Sequence, residues 1–73
     1  MYPNPALGNM LIEVPKGEGM VTLKVMDLKG RLVHDETLIY QRHELDTRTW
    51  PSGAYLFQFS TSRAITTHRI IIP

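Results

Sequence analysis

The sequence predicts an all-β protein, a small antiparallel β-sandwich of about six to seven short strands. Apolar residues recur with a period of two, as in Val21, Leu23 and Val25 and again in Tyr55, Phe57 and Phe59; that is the spacing of a strand with one covered face. The alternating runs are separated at short intervals by Gly, Pro and Asp, the residues that make tight turns. No stretch reads as a helix.

A chain of 73 residues is one domain, of a size class that buries only about 60% of the surface its unfolded chain exposes. Cysteine is absent, so neither a disulfide nor a thiolate metal site reinforces that small core. A hydrophobic fraction of 42% with 21% charged residues belongs to a folded module and is too apolar for a disordered one. The formal charge is +1 and the Lys and Arg residues are scattered, so no basic stripe exists to neutralise a row of phosphates and nucleic acid is not an expected partner. No apolar run reaches the roughly 20 residues of a transmembrane segment, and no basic segment followed by an apolar stretch forms a signal peptide. If the module is exported, an upstream segment carries the first signal.

Residues 1–9, MYPNPALGN, read as a linker leading into the first strand, because Pro3 and Pro5 fix φ and remove two backbone donors. Residues 10–73 are then the β-sandwich domain. A first strand is expected over residues 10–14, followed by the turn PKGEG at 15–19. Residues 20–28 form a half-covered strand ending in a hairpin turn at Asp27, Leu28, Lys29 and Gly30, where Asp bonds its own backbone and Gly takes a positive φ. Residues 31–36 return beside it. Residues 37–41 are a further β-prone run, either continuous with the preceding one or divided from it at Asp35 and Glu36.

Residues 43–51, HELDTRTWP, are less regular, with Leu45 and Trp50 as core plugs at either end of a polar loop. Pro51, Ser52 and Gly53 turn the chain into the clearest strand, residues 54–60, whose Tyr55, Phe57 and Phe59 form an aromatic ladder. Residues 64–72 close the chain. The ladder is expected to meet the Val21, Leu23, Val25 face across a thin core, with a small barrel as the alternative arrangement.

Catalytic and metal chemistry finds little support. His34, Asp35 and Glu36 are consecutive, and a strand sends alternate side chains to opposite faces, so the three cannot converge on one ion. His43 and His68 could join them only through the fold. Ser52 lacks the setting of a nucleophile elbow, and Gly17 and Gly19 lack the Lys-Ser/Thr sequel and helix of a phosphate cradle. No catalytic residue, metal site or cofactor is expected, and the chain is not expected to be an enzyme. Trp50, if exposed, would motivate a different reading, a carbohydrate-binding or adhesive sandwich.

Taken in order, YPNPA at residues 2–6, Gly8, LIEV, VTLKVMDLKGRLV at 21–33, LDTRTWPSGAYLFQF at 45–59 and THRIII at 67–72 resemble the C-terminal sorting domain of the type IX (Por) secretion system, type A, of Bacteroidetes. The resemblance covers nearly the whole chain and implies a small, immunoglobulin-like β-sandwich that is not an enzyme. It further implies a cargo upstream in the same chain, carried through the periplasm and across the outer membrane by the secretion machinery. A sortase-like peptidase usually removes the domain, leaving the cargo at the outer membrane surface or secreted. By the same resemblance the family motif positions are Tyr2, Pro3, Asn4 and Pro5, then Asp27, Gly30 and Arg31, then Gly53 and Tyr55. The translocon recognition segment is Thr67, His68, Arg69, Ile70, Ile71 and Ile72. This chain carries His68 where such tails commonly have Lys, and Trp50 where Leu commonly precedes Pro-Ser-Gly.

In a strand, Ile70 and Ile72 face one side and Ile71 the other. One set enters the core and the other is offered to a partner, unless both faces are covered.

Overall fold

A computed structural model describes residues 2–6, 8–17, 19–39 and 41–73, the first of these segments by its backbone placement. Its elements are β1 (Tyr2–Ala6), β2 (Asn9–Glu13), β3 (Val21–Asp27), β4 (Leu32–Leu38), β5 (Arg42–Asp46), β6 (Gly53–Ser60) and β7 (Ile65–Ile72). They form a three-stranded sheet ordered β1-β2-β5 and a four-stranded sheet ordered β4-β3-β6-β7, antiparallel throughout. The chain is therefore all-β, with two antiparallel sheets arranged consistently with a small β-sandwich.

The expected alternation is what the sheets use. In β3, Val21, Leu23 and Val25 are buried while Lys24 is exposed; in β6, Tyr55, Phe57 and Phe59 are buried and the residues between them half-buried. Contrary to the sequence reading, these two apolar faces do not meet across the core. β3 and β6 are neighbours in one sheet, with Leu23 opposite Phe59 and Val25 opposite Phe57, so the six side chains make one continuous floor. The smaller sheet covers it with Met10 and Ile12 of β2 and Leu45 of β5, while Leu38 and Ile72 extend the core to either side. Period-two patterning identifies which residues face inward, and is the same for a strand beside its neighbour and a strand opposite it.

Three boundaries differ from the sequence reading. Tyr2–Ala6, assigned there to a linker, pairs with β2 as strand β1. Pro3 and Pro5 are two apart and so present to the same edge the positions where an amide is missing; β1 has a neighbour on one side only, which is where a strand tolerates this. The returning run is a single strand, β4, without division at Asp35 and Glu36; it ends at Leu38, and Tyr40 of the further run lies outside the described residues. Its pairing with β3 slips between Val25 and Met26, so that His34 faces Val25 and Leu32 faces Met26, the signature of a bulge. Finally, the irregular stretch from residue 43 contains β5, whose alternation is masked in sequence because His43 supplies one of its two inward positions beside Leu45.

The side of the sandwich where β4 faces β5 is closed by polar groups. Glu36 accepts a hydrogen bond from His34 Nε2 at 2.9 Å, and its other oxygen lies 3.4 Å from Nδ1 of His43 on the opposite sheet. No buried side-chain nitrogen or oxygen among the described residues lacks a partner. On the far side, β1 approaches β7.

Ile12 is fully buried and Ile71 is 59% exposed. Ile12→Val is expected to lower the unfolding free energy by about 1 kcal/mol, and the same change at Ile71 by less than about 0.5 kcal/mol. Urea denaturation measures both; equal losses would contradict the faces assigned to β2 and β7.

Candidate recognition surface

The hairpin joining β3 to β4 is held by one carboxylate. Asp27 Oδ1 accepts the backbone amides of Lys29 at 2.9 Å and Arg31 at 3.0 Å, and Oδ2 accepts Nε of Arg31 at 2.9 Å. The backbone closes the same loop, with Gly30 N donating to Asp27 O and Asp27 N to Arg31 O. Gly30 sits at φ +83°, a left-handed conformation that a side chain disfavours. Donation from the Arg31 amide, with the Arg31 and Lys29 groups adding to it, holds the Asp27 carboxyl below its usual range. Asp27, Gly30 and Arg31 thus form one rigid turn whose spacing follows from Asp bonding forward along its own chain.

A second turn of related chemistry leads into β6. Asp46 accepts the Arg48 amide and Nε, both at 3.0 Å, and Nη2 at 2.8 Å. Thr47, between them, is buried and donates its amide to Gly8 O, and Trp50 N donates to Thr47 O. Trp50 then lies half-buried against the core, its ring 5.3 Å from Tyr55, 6.1 Å from Phe57 and 6.3 Å from His34. The Tyr55 hydroxyl donates back to the carbonyl of Pro51. This pins the Pro51, Ser52, Gly53 turn, where Gly53 adopts φ +149°. Trp50 thus packs partly buried against the core, and the glycan-binding reading has only a half-buried ring to rest on.

Strand register brings these motifs together. Asp27 stands opposite Tyr55, and Tyr55 opposite Ile70; Ala54 stands opposite Ile71, and Gly53 opposite Ile72. Asp27, Gly30, Arg31, Gly53, Tyr55 and the last isoleucines therefore gather at one end of the four-stranded sheet. An open cavity of about 440 Å³ lies there, lined among others by Leu32, Val33, Pro51, Ser52, Gly53 and Ala54. Thr67, His68 and Arg69 continue along β7 away from that end. Tyr2, Pro3, Asn4 and Pro5 lie on the other sheet in β1, and their side chains are outside the described residues.

β7 is an edge strand, paired only with β6. Ile72 is buried, Ile70 packs partly buried against the core, and Ile71 points to solvent. His68 also faces inward, its ring meeting Phe59 edge-on at 5.8 Å, so the imidazole completes the core margin at a place where a flexible ammonium would have to reach for water. Thr67 and Arg69 are exposed.

The histidines do meet an acid, though not as a consecutive triple. His34 and Glu36 share the inner face of β4 and reach His43 through the fold, while Asp35 is exposed on the opposite face. Among the described residues no group of His, Cys, Asp and Glu is arranged to hold a metal ion. Two features escape sequence reasoning, the Glu36 link between sheets and the bond from Tyr55 to Pro51, because each joins residues whose approach depends on tertiary packing or an individual rotamer. The Asp46–Arg48 pair was legible in principle, since Asp two residues before an amide donor is the spacing of an Asx turn.

The family model described as "Secretion system C-terminal sorting domain" (Por_Secre_tail) matches residues 1–73. Among curated proteins, none matches the chain.

The forked hydrogen bond from Arg48, with the Arg48 amide, lowers the Asp46 pKa from 3.8 to about 2. A carboxylate depressed in the native state contributes stability that is present above about pH 4 and is lost as the pH falls through the native value. Asp46→Asn is therefore expected to make the unfolding free energy fall less steeply between about pH 4 and pH 2, measured by urea denaturation across that range. An unchanged pH profile would remove Asp46 as a contributor.

Proposed function

Because the chain belongs to the C-terminal sorting domain family of the type IX secretion system of Bacteroidetes, we propose that its folded sandwich is the address of an exported cargo and that β7 is the part the machinery reads. A domain of this family is a sorting device and not an enzyme, and its partner is the secretion machinery. No helix among the described residues is long and apolar enough to cross a membrane. The observation that carries the reading of β7 is its position as an edge strand presenting Ile71 outward, beside Thr67 and Arg69.

Edge strands invite pairing, and proteins blunt those they do not use. β1 carries Pro3 and Pro5; β4 has a register slip and the acidic pair Asp35 and Glu36; β5 alternates charged residues through Arg42, Glu44 and Asp46. β7 has neither proline within its bounds nor an acid, and its last residues are isoleucines. That contrast supports Thr67, His68, Arg69, Ile70, Ile71 and Ile72 as the recognition segment, met by strand addition or by contact on Ile71. His68, Ile70 and Ile72 act by fixing the strand in the core, and Thr67, Arg69 and Ile71 are the members available to a partner.

Membership of the family supports the remaining parts of the reading. The cargo lies upstream in the same chain, passes through the periplasm, and reaches the outer membrane surface or the medium, where a sortase-like peptidase removes the domain. Residues 10–73 carry the sandwich core, and residues 1–9 lead into it from the cargo while adding β1 to the smaller sheet. The fold is read as immunoglobulin-like, supported by the division of strands into sheets of three and four and by Tyr55 bonding the backbone four residues upstream, which resembles the tyrosine corner of that architecture.

A periplasmically exported reporter fused ahead of this chain is expected to reach the cell surface or medium in a host with the system. Ile71→Lys is expected to reduce that export by about tenfold, a loss equivalent to roughly 1.4 kcal/mol of recognition, with the urea midpoint of the purified domain near wild type. A folded, intact fusion that stays periplasmic counts against the sorting function in this chain. Undiminished export of the Ile71→Lys fusion counts against β7 as the segment read.

A further inference from the structure

The outer face of the four-stranded sheet is divided in two. Register places Asp35, Lys24, Gln58 and Thr67 in one row across β4, β3, β6 and β7. The next row toward the motif end is Leu32, Met26, Leu56 and Arg69, and beyond it Ala54 stands beside Ile71. The face thus changes from polar to apolar in one step. Leu32 is 57% exposed and Ile71 59%, with Met26, Ala54 and Leu56 half-buried between them. The slip in β4 creates part of this surface, because it turns Leu32 outward opposite Met26 and leaves His34 facing inward.

Arg69 ends the apolar row at the free edge. Its neighbours in the register are Leu56 across the sheet and Thr67 and Ile71 along its own face, and it makes no ion pair among the described residues. An exposed Arg at the end of an apolar row combines an apolar stem with a charged head, a chemistry suited to a carboxylate on whatever covers the patch. The patch is also continuous with the exposed side of β7.

We infer that Met26, Leu32, Ala54, Leu56, Arg69 and Ile71 form a composite docking surface for a secretion-machinery protein that presents an apolar wall with a carboxylate opposite Arg69. This rests on the reading of β7 as the recognised segment and extends it: the machinery reads a folded sheet face assembled from four strands, not a linear tail. The hairpin turn and the Gly53 turn bound this face at its end, so their geometry sets the shape a partner meets.

The test uses the same exported fusion with substitutions at Leu32 and Leu56, remote in sequence from the tail, and at positions on β7. Leu32→Lys and Leu56→Lys are each expected to lower export about tenfold, while Ile65→Lys, on β7 but at the polar end, stays within about twofold of wild type. Arg69→Glu is expected to match the two leucine variants, with Arg69→Lys retaining most export, which tests the carboxylate opposite Arg69; Leu32→Lys, at an exposed position, remains informative if Leu56→Lys fails to fold. Circular dichroism and urea denaturation of each purified domain establish folding. Folded Leu32→Lys and Leu56→Lys variants exported like wild type, with Ile71→Lys defective, would overturn the composite surface and leave the linear tail standing. If Ile71→Lys is also exported normally, the reading of β7 fails first. Concentration-dependent dimerisation by light scattering, abolished by Leu56→Lys, would assign the face to a second copy and overturn the proposal.

Discussion

One apolar layer holds this domain together. Phe57 and Phe59 on β6 stand beside Val25 and Leu23 on β3, all fully buried, and the smaller sheet lies over them through Met10, Ile12 and Leu45. With no cysteine to cross-link the chain, every turn and edge depends on that layer remaining dry, and a chain this short has no second core to fall back on. Tyr55 belongs to the same ladder but ends it with a hydroxyl, and uses that hydroxyl to fix the Pro51 carbonyl. The core thereby extends its order into the turn that begins β6.

The position of the tail follows from the same layer. Ile70 and Ile72 join the core beside Tyr55 and Gly53, so the last strand is anchored from its inner face. Anchoring the two inward isoleucines fixes the direction of the third. Ile71 is thus held outward at a defined place, next to Ala54 and in line with Arg69. A recognition element that is already ordered loses less conformational freedom on binding than a floppy one. The two Asp-centred turns act in the same sense, each directing its carboxylate to local backbone amides and to a neighbouring Arg.

The sandwich is also asymmetric in how its sides are closed. At β4 and β5 the sheets are joined by Glu36 with His34 and His43, polar groups placed where water can still reach part of them. At β1 and β7 closure is left to backbone approach, and the edge of β7 stays open. Acidic residues, proline and the bulge guard the other edges, whereas β7 among the described residues has Arg69 as its one exposed charge and neither acid nor proline.

Read alone, the sequence determined the fold class, the inward residues of the two best strands, the Asp27-to-Arg31 turn and the absence of a catalytic motif. Those features are local: period two, Gly at positive φ and Asp bonding forward are written within a few residues of one another. Resemblance across the whole chain supplied the sorting function. Only the tertiary structure decided that the Val21 and Tyr55 ladders lie side by side, since alternation reports the face of a strand and not its neighbour. It also found strands where local signals were overridden, β1 because an edge position excuses its prolines and β5 because a histidine replaces an apolar inward residue. And it settled which isoleucine faces solvent: TTHRIIIP puts apolar groups on both faces, and the choice between them belongs to the register with β6, which no property of the tail itself contains.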